Sequence, residues 1–358
     1  MFLRNCWYVI AWDYEIPAGK LVPRRVMDDP IVLYRRQDGS LVALEDRCVH
    51  RLAPLSLGRL EGDDVRCMYH GMRFAPDGHC NDVPGLTQAI PDRACVRTYP
   101  VQERNSWVWV WLGDAAKADP ALIPESVGLE HPEFVVKSGQ LDYQADYMLI
   151  NDNLTDLSHL SFVHANSFGA DLQWSTTRPE VEALPRGIRV SRWVEGSPPI
   201  PPLGDAASHS SVDIWSSYEF MVPGLFLMYT ALFPTGTAKR LNSGPPPDDL
   251  VSLHSNFTSQ AVTPTSPGTA RYFFAWGPRR SQGDAAMAQL MLDIAQGAFL
   301  EDKVMIEAQQ KVMSLDTGRG VMPLPADRGP LLYHRILQKL IDAETPSASK
   351  SATTHKAL

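Results

Sequence analysis

The sequence predicts a chain of the α+β class, in which a small all-β domain precedes a larger domain of antiparallel strands and helices. Three observations carry that expectation. The first third is a series of short strand-like segments joined by turn residues, five more segments of strand composition lie between residues 187 and 277, and residues 283–314 lack proline and are rich in helix formers. At 358 residues the chain is long for one core, since single cores stop growing at roughly 250 to 300 residues.

Taken in order, IVLYRR and LVALED flank Gln37-Asp38-Gly39-Ser40, a hairpin signature in which Asp-Gly takes the positive-φ turn positions. A second Asp-Gly follows at Asp77 and Gly78. SWVWVWLGD alternates Trp with Val, so it reads as a strand covered on both faces. The small, polar, Pro-containing DAAKADPALIPE reads as a linker and sets the expected domains at 1–118 and 119–345. Beyond it GIRVSRWV, VDIWSSYEF, GLFLMYTALF, LVSLHSNFTSQ and ARYFFAWG are the strands of one antiparallel sheet, 283–314 is one helix or two, and GPLLYHRILQKLIDAE is a further helix. The tail 346–358 is too polar to pack and is expected to be disordered.

A formal net charge of −8 gives no electrostatic reason to expect nucleic acid or an anionic membrane as partner. The opening MFLRNCWYVIAWDYE places Asp13 and Glu15 where an export signal needs a small-residue cleavage site, so a cytoplasmic protein is expected. FMVPGLFLMYTALFP is broken by Pro223 and Gly224 and is shorter than the roughly 18 to 20 apolar residues of a membrane span. Five cysteines in such a chain point to thiols and metal ligation over disulfides. Of these, Cys6, Cys80 and Cys95 read as small buried hydrophobes, and His79 as a solvated turn residue.

The remaining two cysteines belong to a constellation. Cys48 and His50 form C-x-H, Cys67 and His70 form C-x-x-H, and turn residues adjoin both pairs. A structural Cys2His2 zinc site would be satisfied by this set. A Rieske [2Fe–2S] cluster would be satisfied too, with both cysteines on one iron and both histidines on the other. Zinc fingers keep like ligands together, whereas here each pair mixes Cys with His, which favours the cluster.

A second constellation lies at Asp156, His159 and His164, spaced D-x-x-H-x-x-x-x-H. Five residues on a regular helix turn His164 about 140° away from His159, so either the helix ends between them or the two are unrelated. Asp302 supplies the missing member. Its helical neighbours Ala298, Phe299, Met305 and Ile306 are all apolar, which places its carboxylate toward the core, where a cation would relieve the cost of an unpaired charge. Glu301 is a weaker competitor and Glu307 looks solvated. Two histidines and one carboxylate make the facial triad of oxygen-activating non-haem Fe(II).

The segments C-V-H-R, C-M-Y-H-G-M-R-F, D-N-L-T-D-L-S-H and E-D-K-V-M-I-E-A-Q-Q resemble the motifs of Rieske non-haem iron oxygenases, with Val49 and Met72 departing from the usual residues at non-ligand positions. The nearest likeness is to the vanillate O-demethylase and toluenesulfonate methyl-monooxygenase group, with the dicamba O-demethylase more distant. This resemblance implies an N-terminal Rieske [2Fe–2S] domain and a catalytic helix-grip domain (START or Bet v 1-like). It implies Cys48, His50, Cys67 and His70 as cluster ligands, with Tyr69 covering the cluster, and His159, His164 and Asp302 as ligands of a mononuclear Fe(II). Asp156 would orient His159 and accept a hydrogen bond from His70 of a neighbouring subunit, carrying electrons between the metals of a homotrimer. Asn153 would line the iron site. Because no G-x-G-x-x-G follows a strand and no four-Cys ferredoxin pattern occurs, NAD(P)H would act only through a separate flavin or iron–sulfur reductase. The expected substrates are dioxygen and an aromatic compound bearing an acidic group, oxidised at a methoxyl or methyl carbon. Ring dihydroxylation by the same metals, or a zinc-stabilised binding protein without redox activity, are the alternatives. His254, Phe226, Met228 and Tyr229 are the expected pocket residues, though each also suits ordinary core packing.

Overall fold

A computed structural model describes residues 2–344 apart from 166, 169, 200–203, 316, 317 and 319; the tail expected at 346–358 lies outside the described residues. Ten short strands fill the N-terminal part: β1 (Trp7–Trp12), β2 (Val22–Val26), β3 (Asp29–Arg35), β4 (Leu41–Glu45), β5 (Arg59–Glu61), β6 (Asp64–Arg66), β7 (Arg73–Phe74), β8 (Cys80–Asp82), β9 (Val101–Arg104) and β10 (Trp107–Trp111). They pair antiparallel in three sheets ordered β1-β10-β9, β2-β3-β4 and β5-β6-β7-β8. The hairpin expected around Gly39 is β3–β4, and Gly39 takes a φ of +86°, open to glycine without steric cost.

The C-terminal part is built on a seven-stranded antiparallel sheet ordered β11-β17-β16-β15-β14-β13-β12. Its strands are β11 (Lys137–Tyr143), β12 (Glu180–Leu184), β13 (Gly187–Ser197), β14 (Val212–Met221), β15 (Leu225–Pro234), β16 (His254–Ser266) and β17 (Thr269–Pro278). The two edge strands, β11 and β12, escape sequence reading because KSGQLDY and EVEAL are polar, as strands paired on one side alone tolerate. The strand expected from Leu250 begins only at His254, leaving Val251 84% exposed. FMVPGLFLMYTALFP spans the end of β14 and the whole of β15, turning at Pro223 and Gly224. No helix among the described residues is long and apolar enough to cross a membrane.

Among the described residues five α-helices complete this part: α1 (Tyr147–Thr155), α2 (Gln173–Thr176), α3 (Thr237–Arg240), α4 (Ala285–Met313) and α5 (Arg328–Glu344). The 283–314 segment is one unbroken helix. Its N-terminus is capped by Asp284, whose carboxylate accepts from the Ala286 and Met287 N–H groups. Phe299 of α4 meets Tyr272 and Phe274 of β17 with ring centroids 5.1 and 4.8 Å apart, and Tyr333 of α5 meets Phe220 of β14 at 4.8 Å. These contacts hold both long helices to one face of the sheet.

The other face is covered by the N-terminal part. Trp107, Trp109 and Trp111 of β10, with Trp7 and Trp12 of β1, form a buried cluster against Leu225, Leu227, Ala261, Phe273 and Ala275, while Val108 and Val110 point into the adjoining core. Each buried indole removes on the order of 200 Å2 from water, about 5 kcal/mol at ~25 cal/mol/Å2 before entropy is counted. Hydrogen bonds fix the register of this contact: the Thr263 hydroxyl donates to the Val9 carbonyl at 2.5 Å, and the Met27 and Asp28 N–H groups to Pro264 and Thr265 at 2.9 and 3.0 Å.

Candidate metal centres

The two Cys/His loops of the N-terminal part are built alike. The Cys48 N–H donates to the Ala53 carbonyl and the Cys48 carbonyl accepts from Leu52; likewise Cys67 N–H donates to Met72 and the Cys67 carbonyl accepts from Gly71, all at 2.8 to 2.9 Å. In both loops the residue four after the cysteine is left-handed, Leu52 at φ +58° and Gly71 at φ +76°. Both thiols are buried at 2% exposure. Burial, reinforced by Cys67 beside it, pushes Cys48 up to about 11, so a free thiol there would stay protonated until a metal displaced the proton. His50 and His70 are exposed, with ring centroids 4.5 Å apart, and the Tyr69 ring lies 4.0 Å from that of His70. Buried sulfurs and outward imidazoles on twin loops fit a [2Fe–2S] cluster, which Cys48, Cys67, His50 and His70 would hold.

The second centre sits where α1 ends. The helix stops at Thr155, Asp156 takes an extended conformation, and a 3-10 turn over Leu157–Ser161 carries His159 before the chain reaches His164. This break answers the 140° objection. The ligand atoms of His159, His164 and Asp302 lie within 4.8 Å of one another. His159 Nε2 is 3.7 Å from Asp302 Oδ1 and His164 Nε2 is 3.1 Å from Asp302 Oδ2. Both Nδ1 atoms are engaged elsewhere: His159 Nδ1 donates to the Asp156 carbonyl at 2.6 Å, and His164 Nδ1 to Glu301 Oε2 at 2.9 Å. Fixing Nδ1 as the donor leaves both Nε2 lone pairs for a metal. Asp302 is 4% exposed, and Asn153 Nδ2 donates to its Oδ1 at 3.0 Å. Burial lowers the basicity of His159; at His164 burial acts the same way, but the Asp302 and Glu301 carboxylates outweigh it and raise the group. Two neutral-capable imidazoles and one buried carboxylate fit a non-haem Fe(II) site.

Three expectations need correction in detail. Asp156 holds His159 through its carbonyl, because its carboxylate turns onward to cap the 3-10 turn, accepting from the Ser158 N–H and hydroxyl at 2.9 and 3.0 Å. Glu301 contributes more than expected, anchoring His164 and accepting from the Ser167 hydroxyl at 2.7 Å, while Glu307 is tied to the Gln144 N–H at 2.8 Å. Tyr229 lies on the wrong face. Alternation along β15 sends Phe226 and Met228 one way and Tyr229 the other, against the tryptophan cluster.

The triad forms part of the wall of a cavity of about 120 Å3. Asn153, Phe226 and Met228 are on that wall, with Thr230, Asn256, Thr258, Gln260, Phe168 and Trp276, which sequence reading did not assign to a pocket. For Thr230, Asn256, Thr258 and Gln260 the signal is the even-numbered face of β15 and β16, visible only once the register pairs Thr230 with Asn256 and Met228 with Thr258, whereas Trp276 comes from β17 and Phe168 from the chain after His164. His254 is cross-strand from Leu232 on this same face but is not on the cavity wall. It is 1% exposed, neither ring nitrogen has a partner among the described residues, and burial lowers its basicity. The Thr230 hydroxyl is likewise buried and unpaired. Asn256 Oδ1 accepts from Trp276 Nε1 at 2.8 Å. No lysine or arginine lines the cavity among the described residues.

Two family descriptions match the chain: "Rieske [2Fe-2S] domain" over residues 6–100 and "Vanillate O-demethylase oxygenase C-terminal domain" over residues 143–343. It is 39% identical over 349 residues to the toluene-4-sulfonate monooxygenase system iron-sulfur subunit of Comamonas testosteroni, covering 96% of this chain and 98% of that one. It is 32% identical to a vanillate O-demethylase oxygenase subunit of a Pseudomonas species, covering 100% of both, and 31% identical to the dicamba O-demethylase oxygenase component of Stenotrophomonas maltophilia, covering 96% and 99%. The crystal structure of dicamba monooxygenase bound to dicamba superposes with a TM-score of 0.83 at 29% identity, covering 96% of this chain and 98% of that one.

Proposed function

Since the chain belongs to the Rieske non-haem iron oxygenases, and is therefore an oxidoreductase, we propose that it hydroxylates the methoxyl or methyl carbon of a single-ring aromatic substrate. The observation that carries this reading is the His159–His164–Asp302 triad on the wall of an apolar cavity whose ~120 Å3 approaches the roughly 150 Å3 that takes one benzene ring. When bound, the cluster supplies electrons singly and the iron supplies the place where dioxygen is reduced. The chain's own residues do the rest. Phe226, Met228, Phe168 and Trp276 hold the ring by apolar contact and exclude water. Thr230 and Asn256, paired across β15 and β16, offer the hydroxyl and amide that orient its polar substituent. One oxygen atom of dioxygen enters the C–H bond and the other leaves as water, consuming two electrons and two protons. A methoxyl carbon then gives a hemiacetal that releases formaldehyde, and a ring methyl gives the benzylic alcohol.

The supply of electrons follows from the same reading. A separate NAD(P)H-dependent reductase loads the cluster, and the protein works in the cytoplasm, where Cys6, Cys80 and Cys95, outside the cluster, remain thiols. We take Asp156 as the bridge to His70 of a neighbouring subunit in a homotrimer. Supporting this is the exposed apolar rim around the paired histidines, Leu52, Met68 and Tyr69, at 68%, 55% and 60% exposure. The test is a screen of methoxylated, methylated and sulfonated aromatics with the holoenzyme, a surrogate reductase and labelled dioxygen. One labelled atom in a side-chain alcohol or in formaldehyde is expected; two labelled atoms on the ring would overturn the reading.

A further inference from the structure

A second cavity, of about 410 Å3, lies between the end of α1, the chain following α2 and the start of α5, and Asp156 is on its wall. Its charged lining is lopsided. Arg178, Arg192 and Arg328 face it against the single carboxylate of Asp156, the reverse of a chain with 33 basic and 41 acidic residues. Among the described residues neither Arg178 nor Arg328 makes an ion pair or a hydrogen bond, and both side chains are exposed.

Arg192 is the telling member. It is 5% exposed, its Nη1 donates to the Trp174 carbonyl at 3.1 Å, its guanidinium lies 5.8 Å above the Trp174 ring, and its Nε has no partner. Its environment holds the Tyr218 hydroxyl and, at longer range, Asp156. The Tyr218 hydroxyl, which donates to the Thr155 carbonyl, brings no charge, and the Asp156 carboxylate is the one counter-charge on a wall that holds three guanidiniums. A buried guanidinium whose one carboxylate is at longer range, on a wall shared with two further arginines, is incompletely compensated, which is costly. The surroundings favour an anion in other ways. The first residues of α5, Arg328 and Gly329, bring the positive end of a 17-residue helix to the wall. Of the wall's hydroxyls, those of Thr155, Ser158, Ser175 and Thr176 donate within the chain, and that of Thr177 has no partner among the described residues.

We propose that this cavity binds an oxyanion, a phosphate, sulfate or carboxylate group, held by Arg178, Arg192, Arg328 and the start of α5. The inference stands apart from the choice of aromatic substrate but shares the Asp156 wall with the proposed bridge to His70 of a neighbouring subunit, so it is tested on the assembled holoenzyme. The same chemistry can arrive as a free ion or as an acidic side chain of a second copy, and the two are separable. Calorimetric titration of the holoenzyme with inorganic phosphate, against chloride at matched ionic strength, is expected to show saturable binding at one site per chain. Arg178→Ala and Arg328→Ala should each weaken it by about tenfold, the scale of one charge-assisted hydrogen bond. Arg192→Met should make the melting temperature insensitive to phosphate. If a second copy fills the cavity, phosphate gives no heat, but Arg178→Ala and Arg328→Ala shift the sedimentation profile toward smaller species. Phosphate indistinguishable from chloride, together with an unchanged sedimentation profile in both variants, overturns the proposal.

Discussion

Glu301 gives His164 its second anchor, through Nδ1 at 2.9 Å. Removing the partner of a ligating imidazole costs about 10- to 100-fold in metal affinity. Glu301→Ala should therefore lose the mononuclear iron at chelator concentrations the parent protein withstands, with the visible spectrum of the cluster unchanged; iron and acid-labile sulfide assays read both. A second residue-scale expectation concerns pH. The hydrogen bond from His334 Nε2 on α5 to Asp152 on α1, at 2.5 Å, raises His334 above its ordinary value against the effect of burial. A raised folded value means the stabilisation is fully present below about pH 6.5, the unfolded value, and is lost as pH rises through the folded one. His334→Gln should lower the melting temperature near pH ~5.5 and leave it unchanged near pH ~9. Equal losses at both would assign the effect to packing. At this scale Asp302 was legible, because an acid among apolar helical neighbours is buried at a cost that something must offset. Glu301 was not, because the residue that explains it lies 137 positions away in sequence.

Among elements, the twin Cys/His loops make opposite demands at equivalent positions. Gly71 at φ +76° has Pro84 Cγ only 2.8 Å from where a Cβ would stand, whereas Leu52 takes φ +58° as an exposed L-residue. A left-handed non-glycine residue costs roughly 1 to 2 kcal/mol. Gly71→Ala should reduce cluster content after purification, and Leu52→Gly should be neutral or stabilising by about 1 kcal/mol; absorbance of the cluster during thermal melting distinguishes them. Trp109→Ala, in the buried cluster behind the sheet, should cost about 3 to 5 kcal/mol, seen as a lowered unfolding midpoint. The strands, the long helix and the tryptophan alternation were readable because a two-residue or 3.6-residue period leaves its mark on composition. The polar edge strands carry no such mark. The stop of α1 at Asp156 could be inferred only from the impossibility of joining His159 and His164 on one helix.

For the whole molecule, the proposed bridge makes a prediction about mixed assemblies. If Asp156 of one subunit serves His70 of the next, inactive Asp156→Ala and His70→Ala proteins should recover part of the parental turnover when unfolded together and reassembled, because some interfaces then carry both intact residues. Recovery no greater than the sum of the two variants would place the electron route within one chain. The order of parts along the chain was legible; how the N-terminal sheets seat on the larger one was not, since that contact joins Val9 to Thr263 across 254 positions.

Strands β15 and β16 each present one row of side chains to the cavity and the alternate row to the indole bed behind it. Changes at 226, 228, 230, 256, 258 and 260 can thus reshape what the enzyme accepts, while 225, 227 and 261 keep its halves in register. Such a division lets descendants of one ancestor diversify their diet of aromatic compounds without relearning how to assemble.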